Sequence, residues 1–151
     1  MANEIHIDYP SGNTLYAVVR NSAAQVWYPA AQAFEDWGTS GHHADDYDIT
    51  LTDKDGDRYV GDFDANISAG RYTIQAFLQD GGNPADSDGV IGSGEIIWRG
   101  SGELTADKIL ANKAIQSKST GAVHYYDDDG QTVILTHTAT DDAASIIRTP
   151  E

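Results

Sequence analysis

Cysteine is absent from this chain of 151 residues. Its absence excludes disulfide bonds, thiol catalysis and zinc sites built on thiolates. The cellular compartment stays open, because a protein without disulfides works inside or outside a cell. A chain of this length fits one domain, or one domain with a small appendage.

Basic residues are scarce. The chain has 9 Lys and Arg against 24 Asp and Glu, for a formal net charge of −15. Nucleic-acid binding needs basic side chains that displace counterions from phosphates, so the composition argues against a DNA or RNA partner. Anionic membrane surfaces are disfavoured for the same reason. The acidity favours solubility and loose binding of divalent cations.

Long apolar runs are also missing. None approaches the roughly 20 residues of a membrane-spanning helix, so we expect no membrane insertion. Residues 1–6 lack a basic stretch followed by an apolar one, and no secretory signal is visible. If the protein works outside a cell, release by lysis explains its location better than secretion.

Strand signals dominate the first hundred residues. Residues 15–19 form a short apolar run, and residues 48–52 alternate strictly between apolar and polar. An Asp-Gly turn at 53–57 then leads to a second strand at 59–63, which predicts a β-hairpin. Residues 28–47 predict a long connection or an irregular edge.

Tyr72 begins a long predicted strand just after a glycine turn at residues 67–70. This order resembles the tyrosine corner of immunoglobulin-like sandwiches, where the tyrosine hydroxyl bonds back to the preceding turn. An ordinary strand with a core tyrosine is the other interpretation. We therefore predict an all-β fold, with an immunoglobulin-like or transthyretin-like β-sandwich over residues 1–100.

Residues 101–151 predict a small separate module. Thr105 is the expected N-cap of a short helix over 105–113, and a β-hairpin or meander follows, with its turn at residues 127–130. A piece this small buries little surface by itself. It must dock on the sandwich, on another copy or on a partner protein.

The tail motifs at 112–114, 120–123, 125–130, 132–136, 140–142 and 147–150 resemble a recurrent C-terminal segment of phage and prophage structural proteins, above all of tails and baseplates. The motifs at 15–21, 25–27, 59–63 and 92–98 resemble sandwich repeats of phage and some environmental bacteria. The resemblance implies a virion component: a tail, baseplate, neck, fibre or capsid-decorating protein. It carries no set of catalytic residues.

We therefore expect a non-enzymatic structural protein of a virion, which acts by docking against other virion proteins or against itself. The expected contacts are the apolar and aromatic residues of the tail strands: Tyr125, Tyr126, Val133, Leu135, Ile146 and Ile147. No phosphate loop, nucleophile elbow or HExxH motif is present.

The alternative is an extracellular module for glycan binding or adhesion. It requires that Trp27 and Trp37 be exposed, because aromatic faces stack on sugar rings; a tryptophan in a small sandwich otherwise fills the core.

Asp53, Asp55 and Asp57 are spaced like the first ligands of a calcium loop. Arg58 stands where an EF-hand needs glycine, and Asp64 where it needs glutamate. A solvated hairpin turn is the first interpretation of this stretch, and a calcium site is the second. We expect no other cofactor.

Overall fold

The computed structural model describes residues 3–141 and 146–150, with the side chains at 107, 140, 141 and 146–150 left outside the description. Two compact units divide the chain, Met1–Glu103 and Leu104–Glu151. The predicted division lies after Gly100, three residues earlier. Both units are built mainly from antiparallel strands, which confirms the predicted all-β class.

Eight strands and one short helix make up the first unit. They are β1 (Ile5–Asp8), β2 (Leu15–Arg20), β3 (Val26–Tyr28), β4 (Ala33–Glu35), α1 (Ala44–Tyr47), β5 (Ile49–Asp53), β6 (Arg58–Gly61), β7 (Gly70–Leu78) and β8 (Gly89–Trp98). A 3-10 turn at Thr39–Gly41 precedes α1.

Strand β2 lies at the centre of this unit. One of its edges pairs with β7 along its whole length. The other edge pairs first with β5 and then, at Arg20, with β3. The sheet continues from β5 through β6 to β1, and from β7 to β8, which gives the sandwich or barrel-like arrangement.

The five apolar residues 15–19 are all buried because β2 has a core on each face. Leu15, Ala17 and Val19 face the main core with Trp98. Tyr16 and Val18 face a second cluster that contains Ala44, Val26, Tyr47 and Phe77. Residues 28–47 are therefore more than an irregular connection, since α1 covers the outer face of the sheet.

Tyr72 makes the hydrogen bond predicted for a tyrosine corner. Its hydroxyl donates to the Ser68 carbonyl at 2.8 Å. The ring passes so close to Gly70 that a Cβ there would lie 3.0 Å from the hydroxyl oxygen. Glycine therefore lets the strand begin under the tyrosine ring.

The second unit consists of α2 (Ala106–Ala111), β9 (Ala114–Gln116), β10 (Val123–Tyr126), β11 (Val133–Asp141) and β12 (Ile146–Pro150). The four strands form an antiparallel meander in chain order. The predicted turn at 127–130 joins β10 to β11, with Gly130 at φ 65°. Thr105 stands at the N-cap of α2 as predicted, although its side chain makes no capping hydrogen bond to the described residues.

Candidate functional site

The predicted contact residues Tyr125 and Leu135 lie opposite each other on β10 and β11. Both side chains are half-buried. The Tyr125 ring also packs edge-on against His137, with 5.4 Å between ring centroids. These two residues therefore hold the meander together within the unit and leave part of their surface open.

Tyr126 is tied to the start of β9. The Lys113 ammonium lies 4.2 Å from the centroid of the Tyr126 ring and donates to the Gly130 carbonyl at 2.7 Å. A cation over an aromatic face is attracted by the ring quadrupole. Val133, opposite Tyr126, keeps 45% of its surface exposed.

Ile146 and Ile147 belong to β12, whose backbone pairs with β11 at Asp141 and Thr140. Their side chains lie outside the described residues. Their predicted contacts with a partner therefore stay a prediction.

Two further apolar side chains of this unit face solvent. Leu110 on α2 is 84% exposed and Ile115 on β9 is 44% exposed. Sequence reasoning missed both, because a helix of two turns and a strand of three residues are too short for periodicity to show which face is open. With Val133 they form what we call the apolar set of the second unit.

Trp27 is buried, with 4% of its surface exposed, which corrects the expectation that it could contact a glycan. Its ring packs on Phe34 at 5.1 Å, and its indole nitrogen donates to the Asp64 carboxylate at 2.8 Å. The physical reason is the short hairpin of β3 and β4, which turns this side chain into the main core.

Trp37 is half-buried on the opposite face of the sheet. The Arg20 guanidinium lies 5.0 Å from its ring centroid, and the Tyr47 ring lies at 5.0 Å. Trp37 thus anchors the segment before α1 and retains partial exposure. A glycan contact at Trp37 alone stays a prediction.

The aspartates of the β5–β6 turn bind backbone and hydroxyl groups. The Asp53 carboxylate accepts from the Gly12 amide at 2.8 Å and from the Ser11 hydroxyl at 3.0 Å. The bond from Gly12 holds the pKa of Asp53 below its ordinary value. Asp57 accepts from the Ser11 amide at 3.0 Å.

These bonds fasten the β1–β2 connection to the hairpin turn, and Asp55 and Asp57 adopt positive φ there. In the part of the chain that the structure describes, no group of three or more His, Asp or Glu side chains is placed to hold a metal ion. The predicted site on Asp53, Asp55 and Asp57 is therefore not assembled in this geometry. Calcium binding by the protein stays a prediction for a metal titration.

The two adjacent histidines before α1 take different carboxylate partners. His42 lies 2.6 Å from Glu35, and this hydrogen bond lowers the pKa of Glu35. The Tyr47 hydroxyl donates to the same carboxylate at 2.9 Å. Burial and this bond raise the pKa of Tyr47 to about 12, so the phenol stays a proton donor at neutral pH.

His43 lies 2.9 Å from Asp86, whose second oxygen accepts from the Ala44 amide at 2.9 Å. This contact joins the start of α1 to the loop between β7 and β8. Because 43 residues separate the pair, neither sequence spacing nor periodicity could have revealed it.

The His43–Asp86 contact predicts a pH-dependent link. The hydrogen bond to Asp86 raises the pKa of His43 above 6.5. The stability that protonated His43 contributes is therefore complete below pH 6.5 and is lost as the pH rises through the raised pKa. The bond to His43 lowers the pKa of Asp86 below 3.8. The stability that the Asp86 carboxylate contributes is therefore present above pH 3.8 and is lost as the pH falls through the lowered pKa. The link is therefore complete between about pH 4 and 6.5.

An NMR titration of the His43 imidazole checks this prediction. Asp86→Asn keeps an oxygen for the Ala44 amide but removes the charge, and should bring the pKa of His43 back towards 6.5. Both groups are exposed, so added salt should have the same effect more weakly. Identical titration of His43 in the wild type and in Asp86→Asn would contradict the link.

A scan of the chain against models of known protein families found no match, and searches of curated proteins and of solved structures found no similar chain. Among the helices that the structure describes, none is long and apolar enough to cross a bilayer.

Proposed function

We propose that the protein is a non-enzymatic structural component of a phage virion that docks through its second unit on neighbouring subunits. Those subunits are other virion proteins, copies of this chain, or both. The resemblance of the tail motifs to phage structural proteins supports the virion setting. The two-unit organisation supports a division of labour, in which the first unit is a rigid body and the second an attachment piece.

The observation that carries the docking role is the exposure of the apolar set. Leu110, Ile115 and Val133 all lie within a unit of fewer than 50 residues, and the helix and strands that the structure describes there leave 84%, 44% and 45% of their surfaces exposed. Burial of exposed apolar groups against a partner lowers the free energy of the complex, because it removes apolar surface from water. Tyr125, Tyr126 and Leu135 are half-buried and would border such a contact.

Light scattering of the full chain and of a chain that ends at Glu103 tests the proposal. The cut keeps Glu103, because this residue bridges to Trp98 at the end of β8. We expect the full chain to assemble into oligomers and the shortened chain to remain a folded monomer. If both the full and the shortened chain are folded monomers, self-assembly through the second unit is excluded. Normal incorporation of the shortened chain into particles would refute docking through the second unit.

A finer test keeps the whole chain. Leu110→Ser, Ile115→Ser and Val133→Ser in combination should weaken assembly at least about tenfold, because each removes exposed apolar surface without opening a core. Val90→Ser on β8 is the matched control, since Val90 is 55% exposed in the first unit. Equal effects of the triple variant and the control would show that the apolar set has no special role.

A further inference from the structure

A cleft of about 390 Å³ opens in the first unit between the first strand and the last. It is lined by residues 5–7 of β1 with the preceding Glu4, by residues 94–96 of β8, by Ile74 of β7 and by Glu103. Its lining residues all belong to the first unit, whereas the apolar set belongs to the second. A docking role for the second unit does not use it.

The cleft is bounded by two strands that each have a single pairing partner among the described strands. β1 pairs with β6, and β8 pairs with β7. Beyond the bridge from Trp98 to Glu103, the ten-residue strand β8 therefore presents a second edge. An unpaired edge offers a row of N–H and C=O groups that another extended chain can bind.

The lining combines an apolar floor with carboxylates. Ile5, Ile74 and Ile96 are buried beneath the cleft, at 1%, 7% and 2% exposure. Glu4, Glu95 and Glu103 line it as well.

Glu4 is held in place by the fold, since it accepts from the Phe63 amide at 3.1 Å. Glu95 pairs with Arg71, which offsets its charge, so Glu4 and Glu103 give the lining its acidic character. They belong to a chain with a net charge of −15. The charge of the cleft therefore matches a cationic occupant and rejects an anionic one.

We propose that this cleft binds an extended, basic segment of a partner protein by strand addition. The segment pairs with the edge of β8 or β1, an apolar side chain fills the space above Ile74 and Ile96, and flanking Lys or Arg side chains meet the glutamates. Alternation of side chains along a strand supplies this pattern, because successive residues point to opposite faces. The inference stands independently of the virion proposal.

Two glycines of β8 provide a matched pair of variants. An added Cβ at Gly94, which lines the cleft, would meet no atom within 4 Å, and the same holds at Gly92 outside it. The two residues lie two positions apart on one strand and so point to the same face. The β-carbon of Gly94→Val would therefore meet no neighbouring atom, and its methyl groups should occupy the cleft, whereas Gly92→Val should leave the cleft open.

Fluorescence anisotropy with the full-length protein measures the binding. The probe is a labelled peptide of about seven residues that alternates lysine and valine, long enough to span β1. We expect saturable binding that Gly94→Val weakens by at least about tenfold and Gly92→Val changes by less than about twofold. A glutamate–valine peptide should not bind, and N-methylation of alternate amides should abolish binding because it removes the strand hydrogen bonds.

Four results would overturn the proposal. They are the absence of saturable binding, equal binding to Gly94→Val, equal binding of the N-methylated peptide, and equal binding of spermine. The second would indicate general attraction to an acidic surface, the third binding without strand hydrogen bonds, and the fourth a site for small cations. If Gly94→Val does not fold, Glu4→Gln combined with Glu103→Gln serves instead, with weaker binding and a smaller salt dependence as the expected result.

Discussion

Replacement of Trp98 by alanine is expected to lower the free energy of unfolding by about 3–5 kcal/mol. The side chain ends β8 with 1% of its surface exposed and packs on Phe63 at 4.6 Å between ring centroids. Its indole nitrogen donates to the buried Ile67 carbonyl at 2.9 Å. Alanine would leave both a cavity and an acceptor without its donor. Domains of this size have a net free energy of unfolding of only about 5–15 kcal/mol, so the expected loss at Trp98 is a large part of the total.

Urea unfolding of the full-length protein, followed by circular dichroism, measures the effect. Ile97→Ala is the control on the same strand, since its side chain is 51% exposed and should cost less than about 1 kcal/mol. Trp98→Phe separates the two contributions, because it keeps most of the packing but removes the hydrogen-bond donor. Similar small losses for Trp98→Ala and Ile97→Ala would contradict the packing described here.

The main strands were predictable because each carries a local pattern. The alternation at residues 48–52 and the turn at 53–57 correspond to β5 and the hairpin to β6. The continuous apolar run at 15–19 correctly indicated a strand, but its meaning became clear only from the structure. A strand that is apolar at five successive positions needs a cover on both faces, and the second cover is α1.

Features that depend on distant pairing were not predictable. The short elements β4 and α1 have three and four residues, too few for a periodic signal. His124 and His137 lie on the neighbouring strands β10 and β11 but occupy different register positions, opposite Thr136 and Val123. A one-residue difference in register sends a side chain to the other face of a sheet, and sequence alone did not fix that register.

The same limit applies to the candidate sites. Val133 was predicted as a contact residue and is exposed, whereas Leu110 and Ile115 were missed. The β1–β8 cleft depends on which strands form the edges of the sheet. Pairing between residues 50 or more positions apart, as between β1 and β6, determines those edges. The acidic turn at 53–57 has the spacing of a calcium-ligand set. The sequence does not show which backbone amides bind the same carboxylates in the fold. At Asp53 those amides belong to Gly12 and Asp55.

Trp27→Ala and Trp37→Ala are expected to differ sharply, although the sequence offered both as glycan contacts. Trp27 is buried and bonded to Asp64, so its loss should cost about 3–5 kcal/mol. Trp37 is half-buried over Arg20 and Tyr47, so its loss should cost about 1–2 kcal/mol. Thermal unfolding of both variants measures the difference, and equal losses would contradict the assigned positions.

This difference decides how a glycan experiment must be designed. A signal lost in Trp27→Ala would report a damaged core as readily as a lost contact, so this variant cannot test the adhesion alternative by itself. Trp37→Phe keeps an aromatic ring beside Arg20 and Tyr47 and should stay folded, which makes it the informative variant. A glycan-array signal that is present in the wild type, weakened in Trp37→Phe and lost in a folded Trp37→Ala would favour adhesion over a purely structural role. A signal unchanged in both Trp37 variants would exclude this tryptophan as the contact.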